Sequence, residues 1–236
     1  MAQDSDLRFG ERMKNESAKL KEMNFREKRE YIWEYYKIHI VVGILALILI
    51  GSLINTWFIN PPKDCVLFIA WSSGFETDEH MDALSKIFEE KISDNPDRET
   101  VIISSFIAPP DDPSMIMAAA NRLIAMLSAG EIDVFILDRQ GIDEYANAEF
   151  IVPADGLLQE IKNLDENVYN KIIDKTVTSW KREDGNPVSE HIYGIELTDC
   201  PLFEGLGFYE QELFFCVSVT MKEMENAAIA VAALYE

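Results

Sequence analysis

The sequence predicts an N-terminal membrane-spanning helix followed by a single α/β domain built on a mostly parallel sheet. Three observations lead to this fold class. An uncharged apolar run occupies residues 38–59. From residue 65 onwards, apolar segments of strand length alternate with segments of helical spacing, as in parallel sheets with helical crossovers. The region after the run holds about 173 residues, enough for one domain with its own core.

The apolar run is predicted to be a membrane-spanning helix. No Asp, Glu, Lys or Arg occurs between Lys37 and Lys63. A helix over residues 38–59 is about 33 Å long at about 1.5 Å per residue, and a hydrocarbon core is about 30 Å thick. Aromatic residues, which favour membrane–water interfaces, flank the run at Tyr36 and Trp57. The alternative is a buried helix of a soluble protein.

The distribution of positive charge predicts the orientation of the span. Near the ends of the span, four basic residues precede it and one follows it before His80, namely Arg26, Lys28, Arg29 and Lys37 on one side and Lys63 on the other. Because Lys and Arg are retained in the cytoplasm, the N-terminus is predicted to be cytoplasmic. A cleaved signal peptide would have shorter charged and apolar regions and an Ala-x-Ala site, so an uncleaved anchor is predicted.

This interpretation divides the chain into four parts. Residues 1–37 form a cytoplasmic juxtamembrane segment, which ends in a helix either continuous with the span or lying in the interface. Residues 38–59 form the transmembrane helix. Residues 60–64 form a short linker stiffened by two prolines. Residues 65–236 form the extracytoplasmic α/β domain.

The first half of the outer domain is predicted to contain three strands separated by helices. The strands are predicted over residues 65–71, 100–107 and 132–137. A helix with apolar positions from Met81 to Ile92 joins the first two strands. A second helix, opened by Pro113 and stopped by Gly130, joins the second and third strands.

The second half of the domain has a looser pattern. The predicted elements are a helix over 141–148, a strand over 150–152, a helix over 157–174, strands over 176–180 and 191–195, a strand over 213–220 and a helix over 223–234. The strands over 176–180 and 191–195 flank a turn-rich stretch.

Charge is distributed unevenly along the chain. The net charge is −21, with +1 on residues 1–59 and −22 on residues 60–236. An acidic outer domain argues against binding nucleic acid and against lying on anionic lipid. The simpler interpretation of this negative charge is that it keeps the domain soluble. A cation-binding surface is the alternative, although no EF-hand pattern accompanies it.

The three cysteines all lie in the predicted outer domain, at Cys65, Cys200 and Cys216. An odd number permits at most one internal disulfide, and the sequence leaves the pairing open. Because each cysteine lies in or beside an apolar run, buried free thiols are the alternative.

One stretch of the domain resembles the extracellular solute-binding proteins of ABC importers. In Leu123-Ile-Ala-Met-Leu-Ser-Ala-Gly-Glu-Ile-Asp-Val-Phe-Ile-Leu-Asp138 a helix ends at Ala-Gly, and a strand carrying Asp-Val-Phe ends in Asp. Ile151-Val-Pro153 and Tyr193-Gly-Ile-Glu-Leu-Thr198 are similar to later segments of that family. The resemblance covers roughly residues 65–220 and implies one lobe of such a protein. Glu196 stands where the family has Pro. The whole chain also resembles single-pass membrane proteins of clostridia-type Gram-positive bacteria.

Four residues are candidates for ligand binding. In open parallel sheets, ligands lie beyond the carboxyl ends of the strands. Ser72 and Ser73 follow the first strand, Asp138 follows the third, and Tyr193 is predicted to lie at the same rim. Each has a structural alternative, because the serines fit a loop or cap, Asp138 fits a helix cap, and Tyr193 fits a core aromatic.

Catalytic and metal-binding motifs are missing from the sequence. It contains no Gly-x-Ser-x-Gly, no His-Glu-x-x-His, no P-loop and no dinucleotide fingerprint. No catalytic residue, metal or cofactor is therefore predicted, and the protein is not expected to be an enzyme.

Three functions remain as hypotheses. The first is a non-catalytic interaction module of the cell envelope that holds a protein partner or a second copy near the membrane. The second is solute sensing or capture, and an envelope enzyme is the weakest. A deep pocket near Ser72 and Asp138 would favour capture, whereas an exposed apolar patch would favour partner binding.

Overall fold

The computed structural model describes residues 24–59, 61–74, 76–183, 186–206, 208 and 212–236. The chain forms two compact units, Met1–Pro62 and Lys63–Glu236. The described part of the first unit is helical, and the second unit is an α/β domain.

The first unit contains helix α1, Phe25–Ile54, which continues into a π-helical turn, Asn55–Ile59. The predicted juxtamembrane helix and span therefore form one continuous helix. Among the described residues, Lys37–Trp57 is the one helical segment long and apolar enough to cross a membrane by its length and composition. Its most apolar window has none of its residues buried, unlike a core helix of a soluble protein.

The second unit is built on a six-stranded sheet. Its strands are β1 Asp64–Trp71, β2 Glu99–Ser105, β3 Val134–Leu137, β4 Thr176–Glu183, β5 Asn186–Glu196 and β6 Phe214–Val217. They lie side by side in the order β2-β1-β3-β6-β5-β4. β2 and β4 are thus the two edge strands.

Seven helices accompany the sheet in the described part of this unit. They are α2 Asp78–Ile92, α3 Pro113–Ala129, α4 Arg139–Asn147, α5 Asp155–Leu164, α6 Glu166–Ile172, α7 Pro201–Leu206 and α8 Met224–Tyr235. A short 3₁₀ turn, Ile173–Lys175, leads from α6 into β4.

The sheet is mixed, so the prediction of a mostly parallel sheet is wrong. β1 pairs in parallel with β2 and β3, but β6 is antiparallel to both β3 and β5, and β4 is antiparallel to β5. β4 and β5 follow each other closely in the chain, and a connection too short for a crossover helix forces antiparallel pairing. The crossover helices α2 and α3 precede β2 and β3, where the parallel pairs lie.

Helices cover the sheet on both faces. Leu67, Ile69 and Trp71 of β1 contribute to a core with α2, α5, α6, α7 and α8, whereas Phe68 and Ala70 contribute to a core with α3 and α4. Successive side chains of a strand point to opposite faces, so a strand covered on both faces is apolar throughout. This explains the uninterrupted apolar run that predicts β1.

Several elements of the second half differ from their prediction, and helix α7 has no predicted counterpart. The predicted strand over 150–152 is an isolated bridge at Ile151. The predicted helix over 157–174 divides into α5 and α6 at Asp165, whose carboxylate caps α6 by accepting backbone N–H groups. The side chain thus starts a new helix where the apolar spacing alone would continue the old one.

Helix α3 begins and ends where the sequence predicts. Pro113 occupies the first turn, and the Asp112 carboxylate accepts the N–H groups of Ser114 and Met115 at 3.0 and 3.1 Å. Gly130 ends the helix with φ of 70°, in the left-handed region that glycine adopts without strain.

All three cysteines are free thiols, and their burial differs. Cys65 is exposed, whereas Cys200 and Cys216 are buried. Burial raises the pKa of Cys200 to about 11 and raises that of Cys216 even further. Both buried thiols are therefore neutral at physiological pH.

Candidate functional site

Three of the four candidate residues lie together where β1 and β3 end. The Ser72 backbone N–H donates to the Ile136 carbonyl at 3.0 Å. A Cβ added to Gly141 would lie 3.1 Å from Ser73 Oγ and 3.2 Å from Asp138 Oδ1. Ser73 and Asp138 therefore flank the first turn of α4, and Gly141 leaves room for both.

Asp138 caps helix α4. Its Oδ1 accepts the Gly141 N–H at 2.7 Å, and its backbone is extended, as expected for an N-cap residue. The helix-cap alternative for this residue thus describes its geometry. One carboxylate oxygen is already occupied by the backbone, which leaves the other for a ligand.

The cleft beside Asp138 is open and of modest size. Its volume is about 340 Å³, near the lower limit for small-molecule sites. Its remaining lining residues are Gly74, Arg139, Gln140, Glu212 and Leu213. The carboxyl end of the sheet therefore offers a shallow surface in its described part rather than an enclosed pocket.

Tyr193 lies apart from the other three candidates. In the sheet register Gly194 pairs with Cys216, which pairs with Phe135, so Tyr193 is near the amino end of β3 and Asp138 follows its carboxyl end. The side chain is buried in the core formed with α3 and α4. Burial raises the pKa of Tyr193, and the neighbouring Glu149 carboxylate adds to the effect. Tyr193 is a core aromatic in this fold.

The end of β1 is enclosed by aromatic side chains. Trp71 is fully buried, with its ring centroid 6.0 Å from that of Phe203 and 5.8 Å from that of Phe208. Trp71 Nε1 and Ser72 Oγ are buried without a hydrogen bond of standard geometry to any described residue. The Tyr145 hydroxyl nevertheless neighbours Ser72, which opposes the rise in the Tyr145 pKa that burial causes. Ser72 therefore faces the protein interior.

A pair at the start of α2 joins this aromatic cluster and was not predicted. The Glu76 side chain is 1% exposed, and its Oε1 contacts His80 Nδ1. The His80 ring centroid lies 5.3 Å from that of Phe208. The i, i+4 spacing of Glu76 and His80 on either side of the Thr77 cap is the sequence signal that identifies this contact. The pair fixes the start of α2 against the aromatic cluster.

A second pocket lies at the opposite end of the sheet. It has a volume of about 520 Å³, and its lining includes Cys65, Ile102, Met126 and Asp133. Asp133 Oδ2 accepts the Phe68 N–H at 2.9 Å, and the Asp133 N–H donates to the Phe68 carbonyl at 3.0 Å. Burial raises the pKa of Asp133, while the Phe68 N–H lowers it. Asp133 thus joins the start of β3 to β1.

The part of the chain that the structure describes contains no candidate metal site. No group of three His, Cys, Asp or Glu side chains converges there in a way that could hold a metal ion.

The first half of α3 forms an exposed apolar surface, here termed the α3 tip and comprising residues 113–121. Met115, Ile116 and Met117 are 52%, 45% and 66% exposed. In the second half of the same helix, by contrast, Leu123 and Leu127 are buried against the sheet. The sequence predicts the helix, but its apolar spacing does not reveal where the covering sheet ends.

The α3 tip is exposed because the helix extends beyond the sheet. Arg122 Nη2 donates to Ser104 Oγ at 2.8 Å, and its guanidinium lies 4.6 Å from the Phe106 ring centroid. These contacts place Arg122 level with the carboxyl end of β2. The nine residues of the tip precede this level and span about 13 Å at about 1.5 Å per residue.

Charge is sparse around the α3 tip. Residues 100–130 contain three charged side chains, Asp111, Asp112 and Arg122, within a region whose net charge is −22. Between Pro113 and Asn121 there are none. The tip combines exposed Met and Ile with a local absence of charge, which is the composition of a protein interface core.

Comparison with known proteins gave no relative. No family model, curated protein or solved structure matches the chain.

Proposed function

We propose that this protein is a membrane-anchored, non-catalytic interaction module that binds a protein partner through the α3 tip. The observation that carries the proposal is the exposed, uncharged and apolar half-helix with Met115 and Met117 at its surface. Large apolar groups exposed around one short stretch of helix mark an interaction surface, because covering them releases water and gains roughly 25 cal/mol per Å².

The anchor of the module is helix α1. Its segment Lys37–Trp57 has the length and composition of a single membrane span. The excess of Lys and Arg before this segment supports a cytoplasmic N-terminus and an extracytoplasmic α/β domain. In this arrangement the domain is confined to the membrane surface, where a weak interface is helped by a high local concentration.

Solute capture receives less support. A capture site at the strand ends would use Asp138, Ser72 and Ser73, as the resemblance to one lobe of a solute-binding protein implies. Asp138 already caps α4, Ser72 is turned inwards, and the cleft beside them is open. Polar groups that converge on an enclosed cavity are what a capture site requires.

Site-specific photocrosslinking of the full chain in membranes tests the proposal. A photoreactive amino acid replaces Met115 of the tip, and a matched variant carries it at Leu164 of α5, which is similarly exposed at 49%. We expect protein adducts at position 115 and few at position 164. Equal yields at the two positions would show that the tip is an ordinary solvated surface and would overturn the proposal.

A further inference from the structure

We infer that the partner of the α3 tip is a second copy of this chain, bound with the two helices antiparallel across a twofold axis. The inference rests on the proposed function and identifies the occupant of the same surface. It follows from the order of charges and side-chain sizes along one side of α3.

Four residues of α3 and its cap share one side of the helix. Asp112, Met115, Ala119 and Arg122 are spaced by three, four and three residues, which is the spacing of a single helix face. Met115 is 52% exposed and Arg122 is also exposed, whereas Asp112 and Ala119 are half-buried. This side therefore presents an acid, a large apolar group, a small apolar group and a base, in that order.

The order is self-complementary in an antiparallel pair. Symmetry about the level of residue 117 places Asp112 of one copy opposite Arg122 of the other, and Met115 opposite Ala119. Each contact occurs twice, as in any isologous interface. Opposite charges meet at both ends, and a large side chain meets a small one in the middle, which lets the helices approach closely.

The Asp112 carboxylate and the Arg122 guanidinium are both held in place by contacts within the chain, and both keep free hydrogen-bonding capacity. The Asp112 carboxylate accepts two N–H groups through its Oδ1, which leaves Oδ2 for the partner copy. Arg122 donates to Ser104 through Nη2 and lies on Phe106, so the guanidinium is already positioned and retains further donors. Little side-chain entropy remains to be lost when the pair forms.

Electrostatics also select this face for self-association. Two copies of a region with a net charge of −22 repel each other over most of their surfaces. The side of α3 that carries Asp112, Met115, Ala119 and Arg122 brings apolar groups and complementary charges into contact. Anionic lipid offers no such complement, because residues 60–236 as a whole carry a net charge of −22.

Disulfide trapping of the full chain in membranes tests the twofold arrangement. Two differently tagged chains, both with Cys65→Ser, carry Met115→Cys and Ala119→Cys respectively. The control pair carries Met117→Cys and Ala119→Cys, since Met117 lies on the same tip but about 200° around the helix from Met115. We expect about tenfold more mixed dimer from the first pair, because disulfides demand closely apposed Cβ atoms.

A charge variant checks the same geometry. Arg122→Glu in both chains places a carboxylate opposite Asp112 of the other copy, and we expect it to reduce trapping about tenfold, whereas Arg122→Lys retains most of it. Equal trapping in the Met115 and Met117 pairs would overturn the arrangement. If photocrosslinking at position 115 yields adducts that contain only another protein, the second copy is excluded while the proposed function stands. If it yields no adducts, both fail.

Discussion

At the scale of single residues, the Asp138 carboxylate fits two different predicted roles. From the sequence it is both a candidate ligand group and a helix cap. The structure shows the capping contact with the Gly141 N–H at 2.7 Å. A cap contributes to stability in the absence of any ligand, so its role can be separated from binding.

Substitution of Asp138 should destabilise the domain by removing this cap. We expect Asp138→Ala to lower the free energy of unfolding by about 1 kcal/mol, because an N–H at the start of α4 loses its acceptor. Asp138→Asn keeps an acceptor oxygen and should cost only a few tenths of that amount. Denaturant unfolding of the full chain measures both. An unchanged stability in Asp138→Ala would contradict the capping role.

At the scale of elements, Gly194 shows how closely the central strands pack. It lies in β5, and a Cβ at this position would be 2.9 Å from Val177 Cγ1, 3.0 Å from Phe214 Cβ and 3.1 Å from Cys216 Sγ. These neighbours belong to β4 and β6, on either side of β5. The absence of a side chain at Gly194 therefore permits the observed packing of three strands.

A single added methyl group should disturb this packing. We expect Gly194→Ala to destabilise the domain by about 1–3 kcal/mol through overpacking. Gly205→Ala in α7 is the matched control, since nothing lies within 4 Å of its added Cβ and alanine favours helices. Thermal unfolding of both variants gives the comparison. A Gly194→Ala variant as stable as Gly205→Ala would show that β5 can shift without cost.

Elements with local signals are those that the sequence predicts well. Pro113 and Gly130 define α3 because each has a fixed backbone preference, and the unbroken apolar run defines β1 because both its faces are covered. The position of β6 between β3 and β5 depends on pairing between distant segments, which no local pattern encodes.

The candidate site was predictable to the same extent. The carboxyl-end rule correctly brings Ser72, Ser73 and Asp138 together, since β1 and β3 are parallel. Tyr193 does not join them, because its register in β5 places it nearer the opposite end of the sheet. To predict the exposure of the α3 tip, one must know where the sheet ends, and that is a property of the assembled domain.

At the scale of the whole molecule, the predicted orientation can be tested by labelling intact cells. Ser17→Cys and Leu164→Cys are introduced separately into a Cys65→Ser chain, and a membrane-impermeant maleimide is added. We expect labelling at position 164 in intact cells and at position 17 only after permeabilisation, because basic residues before the span retain it in the cytoplasm. The reverse pattern would invert the proposed topology.

The rate at which a thiol reagent modifies the buried Cys216 reports how often the folded domain opens. This residue lies in β6, fully buried between β3 and β5, and burial raises its pKa well above the ordinary value. A thiol reagent can reach it only when these central strands separate, so its rate of modification counts openings of the folded domain. Any occupant of the α3 tip that stabilises the native domain lowers the rate of Cys216 modification, even though it binds a different part of the molecule.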